Sequence, residues 1–439
     1  MITRIEIDGF KSFEDFSLDL PPFLVLIGTN ASGKSNLLDA LRFLAVLAHG
    51  DLYDAIEAVR GDAVGLFRRR GDGTSTGTMR FAIEMITTFE QRPPIRALLE
   101  QAEEQRRRFG TCWRYELTIS LEADGLSPRI ADESIVPLPT ERGDRCPLNA
   151  SPAWREAHVR PGNQVPEFRS LSEIRELAGL SPTQSALGMK QAGSVVRGVG
   201  SELRSIAAFQ LEDAALRRLS VLGGRPELLP NGEGLPAYLA RLRKSSASDG
   251  DPEGVLADIR ADLVRIVREV TSFHVVEDRV RRDIRIEFEG RHIPRFGADV
   301  ASDGTLRVLA LLAALNDPDR SGVVAIEEPE NGVFPERLRE LLATMRRLVS
   351  DPAWDDLSWP LRQALVTSHS PVVLDAVPRE NIVFLDNVTK IEDGVASRIT
   401  RARRLVEPGR PARPPGEEVP RVTEGELDQF RAGLETVSP

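Results

Sequence analysis

Apolar and polar positions change their period several times along the 439 residues, and each change marks an element. Residues 2–20 alternate on both sides of Gly9-Phe10-Lys11-Ser12-Phe13, which predicts two short strands. Phe23-Leu24-Val25-Leu26-Ile27 is a continuous apolar run ending at Gly28, and residues 36–44 then follow with helical spacing. Because the first two strands lead directly into this run, all three are expected to share one sheet. Residues 79–85 and 113–121 alternate as strands, with a polar helical stretch at 95–108 between them.

The middle changes character. Residues 137–166 carry many prolines, arginines and polar residues with no sustained period, which predicts a long loop or excursion. Helical patterns dominate 170–243, broken by Gly223-Gly224 and Pro230-Asn231-Gly232. A polar linker at 244–252 precedes an amphipathic helix at 255–270 and an alternating strand at 284–289. The last third returns to strand–helix order. Val323-Val324-Ala325-Ile326 suits a buried parallel strand, 335–349 a helix opened by Pro335, and 364–367 and 382–385 two further strands. Beyond Leu405 the chain is rich in proline, arginine and glycine and closes on a short helix at 424–434. No internal repeat occurs, and no heptads long enough for a coiled-coil arm.

The apolar run at 23–27 enters Gly28-Thr29-Asn30-Ala31-Ser32-Gly33-Lys34-Ser35 and leaves it as a helix. Strand, glycine-bounded loop and helix in that order form the setting of a P-loop. Gly28 and Gly33 let backbone N–H groups converge on phosphate oxygens without an obstructing Cβ. Lys34 then reaches the β- and γ-phosphates, Ser35 offers its hydroxyl to Mg²⁺, and the helix N-terminus adds partial positive charge. Nucleotide binding is the expectation.

Three further stretches carry chemistry. Ile326-Glu327-Glu328-Pro329-Glu330-Asn331-Gly332 ends an apolar strand in two acids. Beside a P-loop, Glu327 can hold magnesium through water, and Glu328 can orient and deprotonate the attacking water. Thr367-Ser368-His369-Ser370 places a histidine at a strand end. Alone it is an ordinary polar residue leaving a sheet; after the acidic strand it can sense the γ-phosphate. Ser302-Asp303-Gly304 opens an apolar helix, either as a plain cap or as a helix N-terminus that takes an anion.

In this order the four stretches resemble one family. Gly28 to Ser35 looks like Walker A, Ser302-Asp303-Gly304 like an ABC-type signature, Ile326 to Glu330 like Walker B with its following loop, and Thr367 to Ser370 like the switch histidine. Ile5-Glu6-Ile7-Asp8-Gly9-Phe10-Lys11-Ser12-Phe13 is similar to the opening strand of the RecF/Rad50/SMC branch. The Glu-Glu-Pro-Glu-Asn-Gly segment most resembles the stand-alone AAA15/AAA_21 ATPases of that branch. The motifs cover residues 1–90 and 295–390. Departures are Glu327 where Asp is usual, Ala301 where Leu is common, and Val333-Phe334-Pro335 where a His-Pro pair is frequent. Gln210 is either a Q-loop residue or an ordinary helix glutamine, and Lys11 either approaches nucleotide or is a solvated turn lysine.

The resemblance implies an α/β fold, an ABC-type P-loop head with a mixed sheet plus a largely helical inserted lobe and no long coiled coil. The expected divisions are 1–125 and 284–405 for the two parts of the head, 126–283 for the insert and 406–439 for a Pro/Arg-rich tail. ATP and Mg²⁺ are the implied cofactors. Lys34, Glu328 and His369 would be catalytic. Gly28, Thr29, Asn30, Ala31, Ser32, Gly33, Lys34, Ser35 and Asn36 would bind nucleotide with Ser302 and Gly304 of a second copy, and Ser35 and Glu327 would hold the metal. A head-to-tail homodimer, an ATPase cycle that opens and closes it, and a separate effector (nuclease or toxin) follow from the same resemblance. The purpose it suggests is genome maintenance or antiphage defence. The alternative is a slow or non-hydrolysing switch that clamps DNA or a protein.

Composition narrows the partners. With 41% hydrophobic and 28% charged residues the chain is an ordinary globular one. A net charge of −10 excludes a generally basic surface, so any DNA contact is local, at Arg68–Arg70, Arg106–Arg108, Arg279–Arg282 or Arg401–Arg404. The two cysteines, Cys112 and Cys146, lack metal spacing and suggest a reducing cytoplasm. The alternating N-terminus and the lack of a long apolar run predict a soluble, cytoplasmic protein without a membrane span, which argues against a transporter subunit.

Overall fold

The computed structural model describes residues 1–90, 108–138, 159–160, 171–189, 191–351, 361–392, 394–405 and 421–432. Nearly all of the polar helical stretch expected at 95–108, most of the 137–166 excursion and residues 406–420 and 433–439 of the tail lie outside them.

Three strands open the chain: β1 (Ile2–Asp8), β2 (Phe16–Asp19) and β3 (Phe23–Ile27). They do not share a sheet. β1 and β2 pair antiparallel and are extended by β4 (Thr78–Glu90), β5 (Arg108–Leu121) and β6 (Pro128–Pro137) in the order β2-β1-β4-β5-β6, with β7 (Val159–Arg160) beside β5. β3 instead lies inside a second sheet, in the order β16-β15-β3-β14-β13-β8. Its members are β8 (Ala207–Phe209), β13 (Gly322–Glu327), β14 (Arg362–Ser368), β15 (Ile382–Glu392) and β16 (Val395–Arg404). All neighbours pair parallel except β15 with β16. The burial patterns account for the split. β1 alternates buried with half-buried positions, as a one-faced antiparallel strand does, whereas all five residues of β3 are buried and need cover on both faces.

That cover is two hydrophobic cores. Leu24, Leu26, Val323, Ala325 and Leu365 point into one, shared with the antiparallel sheet and helix α1 (Lys34–Leu47). Val25, Ile27, Val324, Ile326 and Val366 point into the other, shared with the helices Leu235–Ser246, Val255–Ile266, Asp303–Asn316 and Pro335–Leu348. Burial of each such side chain stabilises the fold by roughly 1.5–3 kcal/mol. A charge at Val25, fully buried at 0% exposure, would therefore break the layer that carries the P-loop.

The segment 126–283 contributes to all three layers. β6 completes the first sheet, β8 forms an edge of the second, and β9 (Ser220–Val221) and β10 (Val270–Asp278) join β11 (Asp283–Gly290) and β12 (Ile293–Gly297) in a small antiparallel sheet. The helix expected to run to residue 270 ends at Ile266, and β10 begins there with the alternation Val270, Phe273, Val275. Among the described residues the longest helices have 14 residues, so no coiled-coil arm is present in them. No helix among them is long and apolar enough to cross a membrane. Cys112 of β5 is buried and disulfide-bonded, and Cys146 lies outside the described residues.

Candidate nucleotide site

Three parallel strands deliver the site at their carboxyl ends. β14 lies between β3 and β13, with Ile27 in register with Ser368 and Glu327 with Thr367. The P-loop, the acidic turn and His369 therefore leave the sheet side by side. Crevices at the carboxyl ends of parallel strands are where ligands bind in such sheets.

The P-loop is held from behind by β15 and β16. A Cβ on Gly28 would lie 2.2 Å from the Leu385 carbonyl oxygen, and one on Gly33, at φ +98°, 2.2 Å from Thr400 Oγ1. The glycines thus serve close packing of the loop against the hairpin as well as access for phosphate. Asn387 Nδ2 donates to the Ala31 carbonyl at 2.8 Å. Asn36 Nδ2 donates to Ser12 Oγ at 2.9 Å, and the Ser12 and Thr400 hydroxyls lie 2.7 Å apart. Thr29 is half-buried, Asn30 and Ala31 are exposed, and Ser32 is buried.

Lys34 is 5% exposed. Its Nζ donates to the carbonyls of Gly28 and Thr29, both at 2.8 Å, and to Ser32 Oγ at 3.2 Å. The ammonium is folded back into the loop that would receive phosphate. Burial pulls its pKa down to about 8, against the opposing charges of Glu328, Glu330 and Glu327.

Ser35 Oγ donates to Glu327 Oε1. This hydroxyl and carboxylate are hard oxygen donors, the kind magnesium takes alongside phosphate oxygens and water. Among the described residues no group of three or more His, Cys, Asp or Glu could hold a metal ion. The P-loop cradle and this donor pair suit Mg-ATP.

Glu328 sits at φ +48°, a left-handed conformation that costs a non-glycine residue about 1–2 kcal/mol. Neighbours hold it there. Its N–H donates to the Thr367 carbonyl at 3.0 Å, Asn331 Nδ2 donates to Oε2 at 3.0 Å, and His369 Nε2 lies 3.2 Å from Oε1. The backbone of Gly28 is a further neighbour of the ring, so His369 stands between P-loop and acidic turn. Burial and then the Lys34 charge lower its pKa, while Glu328, Glu330 and the Gly28 contact oppose them.

Ser302 and Gly304 are placed elsewhere. Ser302 caps the helix Asp303–Asn316 through the Thr305 N–H and stays exposed. Gly304 packs on the acidic turn, where a Cβ would lie 2.3 Å from the Gly332 carbonyl oxygen. Lys11 pairs with Asp39 at 2.5 Å, and Arg60, also on Asp39, donates to the Ser35 carbonyl at 3.1 Å. Gln210 follows β8 directly, one step beyond the Phe209–Ile326 register pair, so it stands beside Glu327 at the same sheet end. Two residues quoted within the acidic motif were given no role by the sequence, Glu330 and Asn331. The glutamate bonds Ser368 and His369, the asparagine bonds Glu328. The signal available was their position at a strand end beside that of His369.

Residues 217–375 match the family described as "AAA domain, putative AbiEii toxin, Type IV TA system", and residues 1–62 match the one described as "AAA ATPase domain". The first stretch holds the acidic turn and His369, the second the P-loop. A 44-residue stretch is 48% identical to the chromosome partition protein Smc of Methanocaldococcus jannaschii, covering 10% of this chain and 4% of that protein. A 46-residue stretch is 44% identical to the DNA replication and repair protein RecF of Lactococcus lactis subsp. cremoris, 10% of this chain and 13% of that one. The matches thus span a small part of either relative. Among solved structures, the SmcHead bound to the C-winged helix domain of ScpA is 13% identical with a TM-score of 0.47, covering 91% of this chain and 97% of that one. The SMC head domain from Thermotoga maritima is 13% identical with a TM-score of 0.38, covering 91% and 98%. These matches liken the chain to the ABC-type P-loop ATPases of the RecF/Rad50/SMC-like branch.

Proposed function

We propose that the chain binds ATP with Mg²⁺ between the P-loop and the acidic turn and hydrolyses it to ADP and phosphate. The observation that carries this reading is the meeting of Lys34, Ser35, Glu327, Glu328 and His369 at one end of the central sheet. Backbone N–H groups of residues 28–36 cradle the phosphates, and Lys34 exchanges the Gly28 and Thr29 carbonyls for phosphate oxygens. Glu328 accepts a proton from the water that attacks the γ-phosphorus, while Asn331 and His369 fix its carboxylate. Ser35 and Glu327 would hold magnesium, which supplies charge neutralisation on the phosphates when bound. ATP turnover measured with Lys34→Ala and Glu328→Gln tests the assignment.

Ser302 and Gly304 belong, in this reading, to a second copy's nucleotide, so that ATP closes a head-to-tail homodimer and hydrolysis opens it. The relatives' names concern chromosome partition and DNA replication and repair, which supports a DNA-related role. The family resemblance supports an antiphage role with a separate effector. Charge supports one DNA contact. Arg68 is buried on Glu14, Arg401 and Arg403 pair with Asp386, and Arg404 pairs with Asp19. Arg106 and Arg107 lie outside the described residues. The tip between β10 and β11 differs. Asp278 accepts from the N–H groups of Val280 and Arg281, both at 2.9 Å, and so fixes a turn that presents Arg279, a 94% exposed Val280, Arg281 and Arg282. Such a basic hairpin with an apolar tip suits the phosphates and groove of a duplex. The ties on Glu328 equally suit a slow switch, and the turnover rate separates the two readings.

A further inference from the structure

Glu330 reaches from the turn after β13 to the end of β14. Its Oε1 accepts Ser368 Oγ at 2.8 Å and the His369 backbone N–H at 2.6 Å. Its Oε2 is buried and has no hydrogen-bond partner among the described residues. A glutamine's carbonyl oxygen could accept both bonds, so a structural tie between the strand ends does not require the second oxygen or the charge. A buried, unpaired carboxylate oxygen carries a desolvation cost that such a tie would avoid.

The imidazole of His369 gives the charge a use. Its Nε2 lies 3.2 Å from Glu328 Oε1, with the Gly28 backbone a further neighbour of the ring. Only the imidazolium brings a positive charge to the Glu328 carboxylate; a neutral imidazole does not. Burial and the Lys34 ammonium work against the imidazolium, and Glu328 and Glu330 work for it. These are the charged groups that face the ring from the P-loop and the acidic turn.

We infer that Glu330 is a positioning residue for His369: one oxygen fixes the backbone after β14, and the negative charge holds the imidazole against Glu328. This rests on the hydrolytic reading of the site above, but its test does not.

The imidazole of His369 is titrated by NMR in nucleotide-free and metal-free protein, its signal assigned by its loss in His369→Gln. Glu330→Gln keeps the acceptor for the backbone and should titrate His369 at a measurably lower pH than wild type. Glu330→Ala should do the same and lower kcat by roughly ten- to a hundredfold, with KM for ATP changed less than about twofold. An unchanged titration in Glu330→Gln overturns the proposal, and so does a wild-type kcat in Glu330→Ala. Should Glu330→Ala not fold, Glu330→Gln decides alone. If wild type shows no turnover, the hydrolytic reading fails while the titration still judges Glu330.

Discussion

ATP binding should weaken about tenfold between pH 7 and pH 9, because Lys34 must be charged to hold the phosphates. In the nucleotide-free protein burial lowers its pKa from 10.5 to about 8. Bound phosphates are anionic and favour the protonated ammonium, so binding above pH 8 takes up a proton. With a pKa of about 8, roughly nine-tenths of Lys34 is charged at pH 7 and one-tenth at pH 9, which is about 1.4 kcal/mol of affinity. A lysine left at 10.5 would lose only a few per cent over the same interval. Isothermal titration calorimetry in buffers of different ionisation enthalpy reads both quantities. The expected uptake is close to one proton per ATP at pH 9 and about a tenth of one at pH 7. The same shift acts on stability. The folded pKa is depressed, so the unfolded chain binds more protons between about 8 and 10.5, and the nucleotide-free protein gains up to about 3 kcal/mol as pH rises through that window. In Lys34→Met this part of the pH dependence should vanish. An affinity flat from pH 7 to 9 with no proton uptake would refute the reasoning.

Three further outcomes follow from contacts around the site. Gly33→Ala places a Cβ 2.2 Å from Thr400 Oγ1 at a φ of +98°, so it should cost about 1–3 kcal/mol in a denaturant melt and abolish binding of a fluorescent ATP analogue. Gly304→Ala meets the Gly332 carbonyl oxygen at 2.3 Å and should shift the acidic turn, lowering turnover while nucleotide binding to the P-loop persists. Replacing Arg279 and Arg282 by alanine should weaken duplex binding, read by fluorescence anisotropy at fixed salt, and lower the salt slope by about two, with ATPase activity in the absence of DNA unchanged.

What the sequence made legible was whatever local chemistry dictates. Gly28 to Ser35 needs its glycines within one loop, and Glu327-Glu328 follows its buried strand without interruption, so both were readable as strings. The pairing of β3 was not. Its five apolar residues say that both faces are buried, but not that the chain leaves the sheet of β1 and β2 to lie between β14 and β15. Contacts between strand ends were equally hidden: Glu330 meets His369 across 39 residues, and Thr400 fills the space beside Gly33 from the far end of the chain. Charge runs misled for the same reason. Arg68, Arg403 and Arg404 look alike in sequence, yet each is spent on an acid supplied by another element, whereas Arg281 of the 279–282 turn pairs with Asp278 of its own hairpin. The three-residue β8 was missed because the helical pattern around it is stronger, and the nine-residue β10 because the apolar spacing of the helix before it was read on to Val270.

The central claim is that Glu328 is the base of an ATPase site built on the P-loop. The most direct measurement is phosphate release from Mg-ATP by wild type and Glu328→Gln, with ATP binding measured on the same samples. The account predicts turnover in the wild type, its loss by at least about a hundredfold in Glu328→Gln, and ATP affinity at least as tight in the variant. Normal turnover by Glu328→Gln would contradict the assignment. Binding without turnover in the wild type would leave the site a nucleotide switch and not a hydrolase.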